Sequence, residues 1–342
     1  MSKKNLGKLG LLLGSLLFCL LILELLVRFE ILPLPPQEGS HGLTEKWLRG
    51  GLAGKAKKID RFDPLLGWTL QENLRGVVLG SKKKDWEVNS NSRGQRGTKE
   101  YSLERDPSVQ RIVVVGDSFT FGECVDDSEA FTAQLEAMSP RREVLNLGVH
   151  GYGHDQQLLR LRTEGKRLRP DIVLLGFFRS DIGRNGLFFR DYAKPYFRRQ
   201  GDDWVLSNVP VSSPDQLRSS IRLRSVNYMM AFSDGWFRAR KKKNDLEVTL
   251  FLLREILDET RAMGASAIFV RLPWWDAAKE TWKETETVFT EICEEPDVVC
   301  LDPTVRFEAF LETQERIEDH FQCHYSPALY GLVAEEIHEA LK

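Results

Sequence analysis

The sequence has no excess of basic residues. Its 48 Lys and Arg stand against 50 Asp and Glu, for a formal net charge of −2. A nucleic-acid partner usually leaves a clear basic surplus, so none is expected here. Cysteine is scarce, five in 342 residues, and no spacing among the five resembles a zinc site. No metal or other cofactor is expected. Long apolar runs are missing as well, with one exception at the N-terminus.

That exception runs from Leu9 to Val27, mostly leucine, close to the roughly 20 residues that cross a bilayer. Lys3, Lys4 and Lys8 precede it and would stay in the cytoplasm, which puts the bulk of the chain on the exoplasmic side, in a bacterial periplasm or at a cell surface. A cleaved signal peptide needs small residues at a polar boundary, and the segment Glu24–Glu30 offers none. Lipid modification of Cys19 needs a small residue before it, and Phe18 stands there. The run therefore reads as an uncleaved anchor, with Glu24 an interfacial side chain near its outer edge.

At 342 residues and 42% hydrophobic, the chain can bury one large core. Residues 1–30 form the cytoplasmic tip and anchor. Residues 31–108 begin as a Pro- and Gly-rich spacer and continue as a β-rich extension. From 109 to 342 strands and helices alternate. Strands are expected at 111–116, 143–148, 171–178, 266–272 and 298–302, the rhythm of a parallel sheet with helices on both faces. Only the stretch of about 182–245 breaks it, an insertion suited to be a lid, a binding wall or a surface for a protein partner. Within it a hairpin is expected around the Gly201-Asp202-Asp203 turn. Two basic runs, Lys82–Lys84 and Arg238–Lys243, suit solvated ends or anionic headgroups. Trp274-Trp275 follows the fourth strand and lies on the same rim as Ser118.

The chemistry gathers at Gly116-Asp117-Ser118, where the first strand must turn into a helix. Open α/β sheets place ligands at that edge. Ser118 is thus a nucleophile candidate, although Asp and Ser are also ordinary helix caps. Three further segments sit at matching strand ends: Asn146-Leu-Gly-Val-His-Gly-Tyr-Gly153, Gly176-Phe-Phe-Arg-Ser-Asp181, and His324-Tyr-Ser-Pro327 opening the last helix. Together with Gly116–Gly122 they resemble the four blocks of the SGNH (GDSL-type) hydrolases, specifically membrane-anchored bacterial members. The resemblance implies an α/β, flavodoxin-like three-layer sandwich with a five-stranded parallel sheet, following the N-terminal transmembrane helix. It also implies Ser118 as nucleophile, His324 as base, and an oxyanion hole from the N–H groups of Ser118 and Gly151 with an Asn side chain.

Two positions depart from that pattern. Ser180 stands where the Asn is expected and is the candidate replacement donor of the oxyanion hole, through a water; otherwise the donor is missing, and loss of one oxyanion donor typically costs about 10²–10³ in turnover. Phe321 stands where an acid should precede the histidine by three residues. Asp319 is the nearest substitute, with Glu318 and Asp302 as others, and His320 is a rival base. Cys124 and Cys323 each lie close to a proposed catalytic residue, and a bond between them would pin the two loops together; Cys293 and Cys300 could close a short loop. The expected activity is that of a serine esterase or O-acyltransferase acting on an ester of an envelope glycan or lipid. The alternative is a catalytically impaired subunit with a binding or assembly role.

Overall fold

The computed structural model describes residues 3–50, 58–80, 84–220, 223–236, 238–274, 283–321 and 323–342. The N-terminal helix α1 (Lys3–Arg28) contains a 24-residue stretch, Asn5–Arg28, long and apolar enough to cross a membrane, with a mean hydropathy of 2.6. Its leucines are largely exposed, as befits a helix without a protein partner along most of its length.

The segment read as a spacer differs from that expectation. It contains a helix, α2 (Ser40–Gly50), with Trp47 buried. Two glycines at its start serve close packing. A Cβ on Gly39 would lie 2.0 Å from an Asp234 oxygen, and one on Gly42 would lie 1.8 Å from the Pro36 carbonyl oxygen. Two antiparallel hairpins follow, β1 (Asp60–Asp63) with β2 (Gly67–Leu70) and β3 (Val77–Gly80) with β4 (Asp85–Val88). Their apolar side chains close over Phe121 and Cys124 of the main domain.

The main sheet is built from β5 (Gln110–Val115), β6 (Arg142–Asn146), β7 (Ile172–Phe177), β10 (Ser266–Arg271) and β11 (Val298–Leu301). Every pairing is parallel, in the order β6-β5-β7-β10-β11. That is the doubly wound, flavodoxin-like order, whose direction of winding reverses between β5 and β7. The central strands are continuous apolar runs because both faces are covered. One face carries α5 (His154–Arg160), α9 (Arg238–Ala262) and α10 (Lys283–Cys293); the other carries α3 (Ser118–Phe121), α4 (Phe131–Ala137), α11 (Thr304–Leu311) and α12 (Pro327–Ala340).

The insertion contributes α6 (Ser180–Asn185) at its start, the hairpin β8 (Tyr196–Gln200) with β9 (Asp203–Ser207), then α7 (Pro214–Ser219) and α8 (Arg224–Trp236). Phe197 and Trp204 pack their rings on Phe251 of α9. Deeper in, fully buried Lys194 bonds to Asp155 and donates to the Arg184, Leu187 and Pro195 carbonyls at 3.2, 3.1 and 2.9 Å. Burial disfavours the charge on both partners, pushing the Asp155 carboxyl up to about 6 and the Lys194 ammonium down. Disulfides join Cys124 to Cys323 and Cys293 to Cys300.

Candidate active site

β5 ends at Val115, and the chain turns at Gly116 because nothing larger fits: a Cβ there would lie 1.9 Å from Thr120 Oγ1. Asp117 caps α3 by accepting the Phe119 N–H at 2.9 Å. Ser118 thus occupies the first helical position at the switch point, 6% exposed. Its N–H belongs to the group that a helix start leaves without an internal acceptor.

The second block supports this turn from below. Asn146 donates to the Thr120 carbonyl at 2.8 Å and accepts the Gly148 N–H at 2.9 Å. Gly151 follows with φ +78°, and a Cβ there would meet the Arg190 guanidinium at 2.1 Å. His150, next to it, bonds Asp60 of β1 at 2.7 Å.

His324 reaches in from the loop before α12, which Ser326 caps and Pro327 opens. Its Nε2 lies 2.7 Å from Ser118 Oγ. Its Nδ1 side rests on the disulfide, 3.6 Å from Cys323 Sγ. The ring lies against Phe119, tilted by 50° with centroids 4.4 Å apart.

Asp319 is exposed, 3.5 Å from Arg316, and is not among the residues lining the cavity. His320 is held by Ser326, 2.8 Å from its hydroxyl. Asp302 pairs with Arg271 at 2.9 Å. A carboxylate near His324 is that of Glu123, at the end of the nucleophile loop. One Glu123 oxygen, a His324 ring nitrogen and the sulfurs of Cys124 and Cys323 all lie within 4.8 Å of one another. The two sulfurs are bonded to each other and offer no thiolate for a metal. Nothing local in the sequence marks Glu123; the only signal was the pair of cysteines beside it and beside His324.

Ser180 is exposed at the start of α6 and does not line the cavity. One turn later, Arg184 does. Its Nη1 donates to Asp117 at 2.8 Å, to Asp181 at 2.5 Å and to the Tyr152 carbonyl at 3.0 Å. Burial, together with the neighbouring Asp117 charge, holds the Asp181 carboxyl well above the usual carboxylate range, while the two carboxylates raise the guanidinium. Beneath them His154 is fully buried, and desolvation lowers its imidazole to about 3.

The cavity measures about 380 Å³ and is lined by Ser118, Gly151 and His324, by Glu123, Arg184, Arg190 and Asp191, and by the aromatic wall Phe119, Phe178 and Trp274. Trp275 falls outside the described residues. Such a pocket, polar on one side and aromatic on the other, accommodates a small polar substrate with an apolar edge.

The fold and this rim define a doubly wound α/β domain with a serine and a histidine in contact at the switch point. Residues 114–332 match the model of the GDSL-like Lipase/Acylhydrolase family, and the chain belongs to that family. Among solved structures, TesA is 15% identical over 68% of this chain and 98% of its own, with a TM-score of 0.42. A lipolytic G-D-S-L protein from Veillonella parvula is 14% identical over 68% and 97%, at 0.42. Axe2, an acetylxylan esterase from Geobacillus stearothermophilus, is 17% identical over 68% and 94%, at 0.43. A search of curated protein sequences finds no match. At the level of its family, the chain is an ester-acting hydrolase.

Proposed function

We propose that the protein is a membrane-anchored, exoplasmic serine esterase or O-acyltransferase that removes or transfers an acyl group, such as acetyl, carried as an ester on an envelope glycan or lipid. The observation that carries this reading is the 2.7 Å contact between His324 Nε2 and Ser118 Oγ in a cavity shared with Gly151 and Glu123.

In this mechanism Ser118 Oγ attacks the ester carbonyl as His324 Nε2 accepts its proton. The oxyanion is received by the N–H groups of Ser118 and Gly151. Arg184 adds positive charge where Ser180 leaves the third block without an amide. Collapse breaks the ester bond, and His324 returns the proton to the leaving alcohol. Glu123 stabilises the imidazolium formed in between. Water, or an acceptor hydroxyl deprotonated by His324, then releases the acyl group from Ser118.

Transfer requires water to be kept from the acyl-enzyme. The wall contributed by the insertion through Arg184, Arg190 and Asp191 suits that role. The test is the fate of acyl-Ser118 formed from p-nitrophenyl acetate in the detergent-solubilised full chain. Faster release with added envelope oligosaccharide supports transfer, release at the same rate leaves hydrolysis, and absence of the intermediate in folded protein contradicts the proposal.

A further inference from the structure

Helix α8 has two unlike sides. Ser225, Tyr228 and Ala231, spaced three apart, are buried. The opposite arc shows Val226, Met229 and Met230, which are 45, 44 and 42% exposed; Phe232, on the flank of the buried side, is 48% exposed, and Leu223 just before the helix is 61% exposed. At 100° per residue only Ser233 interrupts this arc, and no charge falls on it. A water-facing helix ordinarily carries charge there.

The same helix is fastened to the outer end of α1. Glu24, 7% exposed in the penultimate turn of the apolar helix, accepts the backbone N–H of Arg224 at 3.2 Å and of Ser225 at 2.8 Å. It therefore caps α8, a more specific role than the interfacial side chain read from sequence. The Arg224 guanidinium reaches buried Glu45 of α2 at 2.5 Å, and Arg49 of α2 reaches the Leu32 carbonyl at 2.7 Å. Asp234 of α8 sits against Gly39, where a side chain would not fit. The start of α8 is thus held level with Glu24, inside the last turns of the apolar run, and Phe29 and Ile31 beyond it are 73 and 66% exposed.

We propose that α8 lies in the outer interface of the lipid bilayer with its uncharged arc against the acyl chains, so that the domain sits on the membrane instead of swinging from a tether. The proposal rests on reading α1 as a membrane anchor. Lys242 and Lys243, exposed near the start of α9, supply the basic charge that anionic headgroups attract. The link reaches the cavity: Ser40 of α2 accepts the Phe188 N–H at 2.9 Å, two residues before Arg190 of the cavity wall, and Trp47 packs on Phe189. Bilayer seating thereby fixes the cavity relative to the surface, as an envelope-bound substrate requires.

The test is depth-dependent quenching of an environment-sensitive fluorophore on single cysteines in the full chain, in a Cys19→Ser background because Cys19 is the free cysteine. Met230→Cys and Met229→Cys probe α8, with Val226→Cys as the substitute if either unfolds. Phe18→Cys reports the anchor, and Val305→Cys on α11, 75% exposed, reports solvent. In phosphatidylcholine and phosphatidylglycerol vesicles containing doxyl lipid, the α8 labels are expected to be quenched about twofold or more beyond Val305→Cys. Quenching at position 18 with none at 229 or 230 overturns the proposal and leaves the anchor standing. No quenching at position 18 removes the anchor reading itself. Labels on α8 shielded from both doxyl lipid and aqueous iodide show a protein surface in place of lipid, which also overturns it.

Discussion

Glu123 and His324 meet because each is followed or preceded by one half of the same disulfide, Cys124–Cys323, whose cysteines are 199 residues apart in sequence. The bond joins the nucleophile loop to the histidine loop within 4.8 Å of both groups. If this carboxylate stabilises the imidazolium, Glu123→Gln should lower turnover by about 10- to 10²-fold with little change in KM, since the charge matters only once the proton has moved. Steady-state kinetics on p-nitrophenyl acetate check it. An unchanged turnover assigns Glu123 no part in the reaction.

The disulfide should matter to both stability and rate. The double variant Cys124→Ser/Cys323→Ser is expected to lose about 2–5 kcal/mol of unfolding free energy, by urea denaturation. Its fluorophosphonate labelling should also slow under conditions where it remains folded. Loss of stability with full labelling speed would show that other contacts hold the two loops in place.

The sheet was legible from sequence because its strands are uninterrupted apolar runs bounded by turns, and the four motif segments fall at its rim. Glu123 was not legible, since its approach to His324 depends on a long-range covalent pairing. Asp319 is near His324 in sequence, but the turn Ile317–His320 leaves it exposed beside Arg316. Composition does not distinguish a glycine needed for flexibility from one needed for contact, as at Gly39 and Gly42.

Ser180 and Arg184 should behave in opposite ways. Ser180→Ala is expected to change turnover by less than about twofold, because the hydroxyl does not line the cavity. Arg184→Lys should cost about 10²-fold or more, since an ammonium cannot reproduce the contacts of the guanidinium to both carboxylates and the Tyr152 carbonyl. A large effect at Ser180 would mean that α6 shifts when substrate binds.

His154 makes stability depend on pH. Its folded value of about 3 lies below the ordinary 6.5. Between those limits the unfolded chain binds a proton that the folded chain refuses, so this contribution is full above 6.5 and is lost as the pH falls toward 3. Asp155, raised to about 6 from 3.8, acts in the opposite sense between those two values and partly offsets it. His154→Gln should therefore lose less stability than the parent between about pH 7 and about pH 4.5, by roughly 2 kcal/mol. Urea unfolding at the two pH values measures the difference, and equal losses would contradict the assignment.

The central claim is that Ser118 is a nucleophile activated by His324, and fluorophosphonate labelling of the full chain tests it most directly. Labelling should be stoichiometric, map to Ser118 by peptide mass, disappear in Ser118→Ala and slow by at least about 10²-fold in His324→Ala. Absence of labelling in a chain whose thermal melting shows it to be folded would contradict the claim.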